Sequence, residues 1–166
     1  MNYTDYLYEV ARELGCELRL APDIPGMMYV EFGYVEGPHP DTSIVYSPQQ
    51  AFAVGLHELG HFYHGHTQGR PPMSHLRHYF DNGVLQSEAE AWDFALRHLE
   101  LCEEELDEST RMFMRLGCID SYLRGALESK GRDDCRLWNG NRHHVAFKYD
   151  EPTPFFEDVR ARLIAA

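Results

Sequence analysis

The stretch that decides the fold is His57-Glu58-Leu59-Gly60-His61, in the middle of an apolar segment. Its two histidines are four residues apart, or about 40° around a helix axis, so both imidazoles can reach one ion. Zinc suits two neutral imidazoles and a carboxylate, with a fourth position left for water. Glu58 falls beside that water rather than on the metal. We therefore expect His57 and His61 to be ligands and Glu58 to be a general base.

The residues around this motif predict a buried helix with a defined start and end. Ser47, Pro48 and Gln50 have the pattern of an N-cap, a first helical position and a capping box. The helix is expected to run to about His64, with Gly65 ending it. Histidines are uncommon on a buried helix, because burying their ring nitrogens is costly unless those nitrogens have partners. The alternative is an ordinary structural helix whose histidines lie at the surface and bind no metal.

Four residues compete for the place of third ligand, namely His64, His66, Glu88 and Glu90. His64 lies seven residues after His57, about 10 Å along a straight helix, which one ion cannot readily span. His66 would suit a chain that turns back, as in the long metzincin motif. That motif requires Gly where His64 stands and His where Thr67 stands, so its frame does not fit.

A helical wheel separates the two acids, which open a second strong helix predicted over about 87–105. Four residues fall within about 60° of Glu88 and form its apolar stripe: Ala91, Ala95, Leu99 and Cys102. Glu90 lies about 160° away from Glu88, toward solvent, where it can form a capping box with Ser87. A carboxylate on an apolar stripe needs a partner, and zinc is one. We predict Glu88 as the third ligand; the alternative is that both acids merely complement the helix N-terminus.

The rest of the chain predicts an α+β fold. A first helix is expected over 4–14, ended by Gly15. Three short strands should form a small antiparallel or mixed sheet beside the motif helix, over residues 16–20, 27–35 and 43–46. Residues 66–83 have the composition of a loop and are expected to form the rim of a cleft. The strand over 27–35 could pair with an extended substrate.

The C-terminal half is expected to be mostly helical. Helices are predicted over about 108–116 and 119–129, with Gly117 between them. A strand over 144–149 and a short terminal helix follow. We treat residues 1–166 as one domain, with a core over 4–105 and an extension over 106–166.

Charge and cysteine usage narrow the class of function. The formal net charge of −12 argues against a nucleic-acid-binding surface and favours a basic partner or none. Neither a signal peptide nor a membrane-spanning run is found, so a cytoplasmic protein is expected. The four cysteines are far apart and are expected to be reduced thiols: Cys16, Cys102, Cys118 and Cys135. Two disulfides in an exported protein are the alternative.

Three stretches together resemble the ImmA/IrrE zinc metallopeptidases, over roughly a third of the chain: Ser43-Ile44-Val45-Tyr46, Ala53-Val54-Gly55-Leu56-His57-Glu58-Leu59-Gly60-His61 and Glu88-Ala89-Glu90-Ala91-Trp92-Asp93-Phe94-Ala95. In that family a short strand leads into the His-Glu-x-x-His helix, and a later helix opens with Glu-x-x-Ala-Asn-x-Phe-Ala. The resemblance implies His57, His61 and Glu88 as ligands and Glu58 as base. Trp92 stands where the family usually has Asn or Asp.

The resemblance also implies a compact zincin-like domain and a regulatory role. The expected activity is zinc-dependent hydrolysis of a peptide bond in a specific protein partner, such as a DNA-binding repressor of a phage or mobile element. The alternative is a zinc-containing regulatory protein that sequesters its partner without cleaving it. The oxyanion would need a further donor, and the sequence does not rank the five candidates: His75, His78, Tyr79, His143 and His144.

Overall fold

The computed structural model describes residues 1–29, 33–65, 84–129, 136–137, 145–146 and 151–165. Helix α1 (Tyr3–Leu14) begins at Asn2, whose side chain accepts a hydrogen bond from the backbone N–H of Asp5. It ends at Gly15, whose φ of +71° is a left-handed conformation that glycine adopts without strain. The predicted first helix and its stop are confirmed.

A small mixed sheet follows, made of β1 (Glu17–Ala21), β2 (Met27–Tyr29) and β3 (Tyr34–Pro38). The strand order is β1-β3-β2, with β1 parallel and β2 antiparallel to β3. The single strand predicted over 27–35 is therefore wrong, because the chain reverses between β2 and β3. Gly33, the residue before β3, has a φ of +69°, a left-handed conformation that glycine adopts without strain.

The strand predicted over 43–46 is also wrong, since these residues form bends and pair with no strand among those described. The Ser43 hydroxyl accepts hydrogen bonds from the backbone N–H groups of Val45 and Tyr46. Such local bonds compete with a β-ladder for the same donors. Ile44 and Val45, whose β-branched side chains suggested a strand, are 79% and 55% exposed.

Helix α2 (Pro48–Tyr63) carries the motif and is built as predicted. Both halves of the capping box between Ser47 and Gln50 are formed. The helix ends at His64, followed by Gly65 with a φ of +63°. It is buried on nearly all sides, because β2 and β3 pack against one face, α1 against another and α3 along a third. The sheet thus lies beside the motif helix.

Helix α3 (Val84–Leu101) begins earlier and ends earlier than predicted. Ser87 lies inside the helix and is buried, so the predicted capping box between Ser87 and Glu90 is wrong. Glu90 instead accepts a hydrogen bond from the side chain of Gln86, one turn before it. Beyond Leu101 the chain leaves the helix, and Glu103 has a φ of +52°.

In the C-terminal half, the described residues form one long helical run, a pair of two-residue strands and a last helix. The run consists of α4 (Glu108–Met112), a π-helical segment (Phe113–Ile119) and α5 (Asp120–Ser129). A break at Gly117 was predicted and is wrong, because the π-helical segment continues through it and buries Met114 and Ile119 on either side. Strands β4 (Arg136–Leu137) and β5 (Val145–Ala146) pair antiparallel, and α6 (Pro154–Ala165) follows.

One hydrophobic cluster joins the helices of both halves of the chain. It contains residues of α1 and α2 as well as Met114, Ile119 and three residues of α6: Phe156, Val159 and Leu163. Helix α3 packs against both α2 and α6. The described part of the chain is thus a mostly helical α+β fold with a small sheet. None of its helices has both the length and the apolar character to cross a bilayer.

Candidate metal centre

Three side chains from two helices converge in the interior. His57 and His61 project from α2, and Glu88 projects from the first turns of α3. The Nε2 atoms of the histidines are 3.0 Å apart, and each lies 3.4 Å from one oxygen of the Glu88 carboxylate. The three residues are 7%, 5% and 1% exposed. Among the described residues this is the group whose ligand atoms are close enough to share one ion.

The spacing and the chemistry of these atoms fit zinc. Ligand atoms placed about 2.1 Å from a tetrahedral ion lie roughly 3.4 Å from one another. The carboxylate contacts have this length, and the two nitrogens are slightly closer. In the part of the chain that the structure describes, Glu88 Oε2 lies 3.4 Å from His57 Nε2 and has no hydrogen bond. Buried polar atoms without partners are costly, and a cation held between these side chains would offset that cost.

The two helices approach so closely because α2 carries a glycine at the crossing. A Cβ atom added to Gly60 would lie 2.7 Å from the carbonyl oxygen of Ala91 and 3.0 Å from the Cβ of Phe94. Only a residue without a side chain fits against backbone at this distance. Gly60 therefore sets the separation across which the histidines of α2 reach Glu88. Its role was missed in the sequence, where it occupies one of the two variable positions of the motif.

Glu58 lies beside the three ligands and is half-buried. The turn before β2 covers its carboxylate, since a Cβ atom added to Gly26 would lie 2.8 Å from Glu58 Oε1. Burial raises the pKa of Glu58 to about 7, the negative charge of Glu88 adds to this, and His61 opposes it. An acid with a pKa near neutrality is well suited to take up and return a proton.

The pKa of Glu88 is shifted in the opposite direction, although Glu88 lies in the same site. Burial opposes its ionisation, but the charges of the nearby imidazoles, His61 first and then His57, outweigh burial. The pKa of Glu88 consequently lies well below its ordinary value. Two neighbouring carboxylates with separated pKa values can take different roles, one as a permanent anion and one as a proton carrier.

The C-terminal half contributes side chains to the same site. The charge of Glu88, burial, the charge of Glu58 and a hydrogen bond to Glu88 raise the pKa of Tyr122 well above its ordinary value. Burial, followed by the charges of Glu88 and Glu58, raises the pKa of the Cys118 thiol. Burial and the charges of Cys118 and Glu58 raise the pKa of Tyr46. Sequence reasoning missed Tyr122, because no motif marks a tyrosine that tertiary packing of α5 brings to α3.

Two other candidates for third ligand, His64 and Glu90, are not part of the cluster. His64 caps the end of α2 and is exposed, with its ring against Tyr63. Glu90 is bound to Gln86. His66 and the five candidate oxyanion donors lie outside the described residues: His75, His78, Tyr79, His143 and His144. Cys16, Cys102 and Cys118 are free thiols, as predicted, and Cys135 lies outside the described residues.

Comparisons with protein-family models, with curated proteins and with solved structures found no match to this chain. The resemblance to the ImmA/IrrE metallopeptidases therefore stays a prediction from three short stretches. One of these, Ser43–Tyr46, does not form the strand that the family has there. The functional assignment consequently depends on the chain's own residues, above all on the convergence of His57, His61 and Glu88.

Proposed function

We propose that the protein is a zinc-dependent peptidase that hydrolyses a peptide bond in a specific protein partner. One observation carries this proposal. His57, His61 and Glu88 lie together in the interior, and the side chain of Glu58 lies beside them. Two imidazoles and one carboxylate are a donor set of catalytic zinc sites, which leave one position open. A purely structural zinc site has four protein ligands.

In this proposal the four residues have distinct roles. Zinc, when bound, acts as a Lewis acid and lowers the pKa of water toward about 7. His57, His61 and Glu88 hold the ion through their Nε2 and carboxylate oxygen atoms. Glu58 accepts a proton from the attacking water on its carboxylate and passes that proton to the nitrogen of the leaving amine. Tyr122 carries a hydroxyl that is hydrogen-bonded to Glu88, and we assign it the hydrogen bond to the substrate carbonyl oxygen.

The sheet offers an extended substrate a place to bind. Strand β2 lies at an edge of the three-stranded sheet, and a Cβ atom added to Gly26, immediately before it, would lie 2.8 Å from Glu58 Oε1. A peptide added to a sheet edge gains main-chain hydrogen bonds along its length. A peptide on β2 would therefore pass the proposed general base. Such an edge strand beside the motif helix is the basis on which we propose a zincin-like fold.

The charge of the chain supports a basic protein as substrate. A net charge of −12 attracts a partner with a positive surface and speeds their encounter. A DNA-binding repressor has such a surface, because it contacts phosphates. We propose a repressor of a phage or mobile element as the substrate. We also place the activity in the cytoplasm, in keeping with the free thiols of Cys16, Cys102 and Cys118.

The proposal is tested with zinc-loaded wild type and the Glu58→Gln variant. Both are incubated with a mixture of bacterial and phage proteins, and newly formed amino termini are identified by mass spectrometry. Glutamine has the shape of the acid but cannot take up the proton, so new termini should form with the wild type alone. The variant should bind the same amount of zinc.

A different result would favour the alternative function, which is sequestration of a partner without cleavage. If neither protein generates new termini, yet both retain the same partner on an affinity column, the chain sequesters that partner without cutting it. Equal cleavage by wild type and Glu58→Gln would show that Glu58 is not the base. Either result would overturn the proposed peptidase mechanism.

A further inference from the structure

One aromatic side chain lies directly on a proposed ligand. The indole of Trp92, one turn along α3 from Glu88, has its ring centroid 4.3 Å from that of His57, with the ring planes 30° apart. Trp92 is 1% exposed. A buried indole N–H usually finds an acceptor, yet within the described ranges of the chain that of Trp92 has none. The indole is therefore held by packing, and one of its faces lies against an imidazole.

The imidazole on the other side of this contact lacks the usual support. A histidine that binds a metal normally donates its second ring N–H to a carboxylate, a carbonyl or a water, which fixes the orientation of the ring. His57 Nδ1 is buried and has no hydrogen-bond partner in the described segments. The ring is bounded instead by Trp92 on its face and by the edge-on ring of His61 at 4.5 Å. Contacts with these two rings, instead of a hydrogen bond, therefore hold the imidazole of His57 in its orientation.

We propose that Trp92 is the positioning residue for His57. Its indole face holds the imidazole plane so that Nε2 points toward His61 and Glu88, and it keeps water away from the Nδ1 side. The inference rests on the proposed zinc site, but not on the cleavage of a peptide. An aromatic ring of any kind at position 92 can do this, whereas an aliphatic side chain such as Leu, which is close to Phe in volume, cannot present a flat face.

The test compares Trp92→Phe with Trp92→Leu in the metal-free full chain. Zinc affinity is measured by competition with a chelating dye, and the geometry of the site is measured by the visible absorption of bound Co²⁺. The matched control is Phe156→Leu, which removes an equally buried aromatic ring from α6. Trp92→Leu should weaken zinc binding by about 10- to 100-fold and change the Co²⁺ spectrum. Trp92→Phe and Phe156→Leu should stay close to wild type in both.

Fluorescence gives an independent measurement, because the chain has two tryptophans. In a Trp138→Phe background, emission comes from Trp92 alone and should change as zinc is added, with saturation at one equivalent. The inference is overturned if Trp92→Leu binds zinc like the wild type, if Phe156→Leu weakens binding equally, or if the emission does not respond to zinc. A wild type that binds zinc but cleaves nothing would contradict the proposed peptidase and leave the role of Trp92 standing.

Discussion

At the scale of single residues, the site contains two carboxylates whose surroundings differ. Glu88 lies between two imidazoles and remains ionised, while Glu58 lies under the turn at Gly26 and has a pKa of about 7. The sequence could predict that Glu88 faces the core, because Glu88 shares a stripe with apolar residues of α3. It could not predict the pKa of Glu58, since the covering turn belongs to another element.

The first prediction concerns the stability of the metal-free protein. A pKa raised on folding from 4.5 to about 7 means that Glu58 favours the folded state in its protonated form. The contribution of protonated Glu58 to the free energy of unfolding is complete below about pH 4.5 and is lost as the pH rises through about 7. Glutamine mimics the protonated acid and loses nothing. The free energy of unfolding of Glu58→Gln, relative to wild type, should therefore rise by about 2 kcal/mol between roughly pH 5 and pH 8.

Urea unfolding at a series of pH values measures this difference. Added zinc should reduce it, because a nearby cation lowers the pKa of Glu58. A difference that stays constant across the pH range would show that the Glu58 carboxylate is not in a desolvated position.

A second prediction concerns Tyr122, the residue that no sequence motif indicated. Tyr122→Phe removes one hydroxyl and leaves the ring, so the fold should be retained. Loss of one donor to the substrate carbonyl should lower kcat by about 100-fold. Zinc content should be unchanged. If the variant instead loses zinc and regains full kcat when zinc is supplied in excess, the hydroxyl serves only to orient Glu88.

At the scale of helices and strands, the sequence-based predictions were correct where hydrogen bonds within a few residues define the boundary of an element. The capping box at Ser47 and the stop at Gly65 bound α2 as predicted, because these bonds form within a few residues. The strand over 43–46 failed because a side-chain hydroxyl took the backbone donors. The break at Gly117 failed because packing of Met114 and Ile119 outweighs the weak helix propensity of one glycine.

The crossing of α2 and α3 yields a third prediction. Gly60→Ala places a methyl group against the backbone of Ala91, which cannot move aside. The helices must separate, so the free energy of unfolding should fall by about 2 kcal/mol and zinc binding should weaken. Gly55→Ala is the matched control on the same helix, since the three atoms nearest to its methyl group would belong to the side chain of Leu7 and not to backbone. Urea unfolding and zinc titration of both variants measure the contrast.

Two results would contradict the role given to this crossing. Equal destabilisation by Gly55→Ala and Gly60→Ala would show that contact with backbone is not the deciding factor. Unchanged zinc affinity in Gly60→Ala would show that the separation of the helices does not set the geometry of His57, His61 and Glu88.

At the scale of the whole molecule, the C-terminal half is tied to the half that carries the motif. Residues of α6 share the hydrophobic cluster with α1, α2 and α3, and Arg162 of α6 binds Asp93 of α3 at 2.5 Å. Periodicity predicted helices in the C-terminal half, but it could not predict that α5 would bring Tyr122 to the site. Such a placement depends on contacts between residues far apart in sequence.

A fourth prediction tests whether both halves unfold together. Phe156→Ala removes a fully buried ring from α6 and should lower the free energy of unfolding by about 3–5 kcal/mol, within a single transition. Phe155→Ala, one residue earlier and 37% exposed, is the control and should cost much less. Circular dichroism and tryptophan emission should follow the same curve. Two separate transitions would show that α6 is not part of one cooperative unit.

The central claim is that His57, His61 and Glu88 hold a zinc ion, and the most direct test is the metal content of the purified protein. Wild type and Glu58→Gln should each contain about one equivalent of zinc by elemental analysis. Glu88→Ala and His61→Ala should contain almost none after the same dialysis. A wild-type content near zero that excess zinc cannot raise, or full occupancy in Glu88→Ala, would contradict the claim.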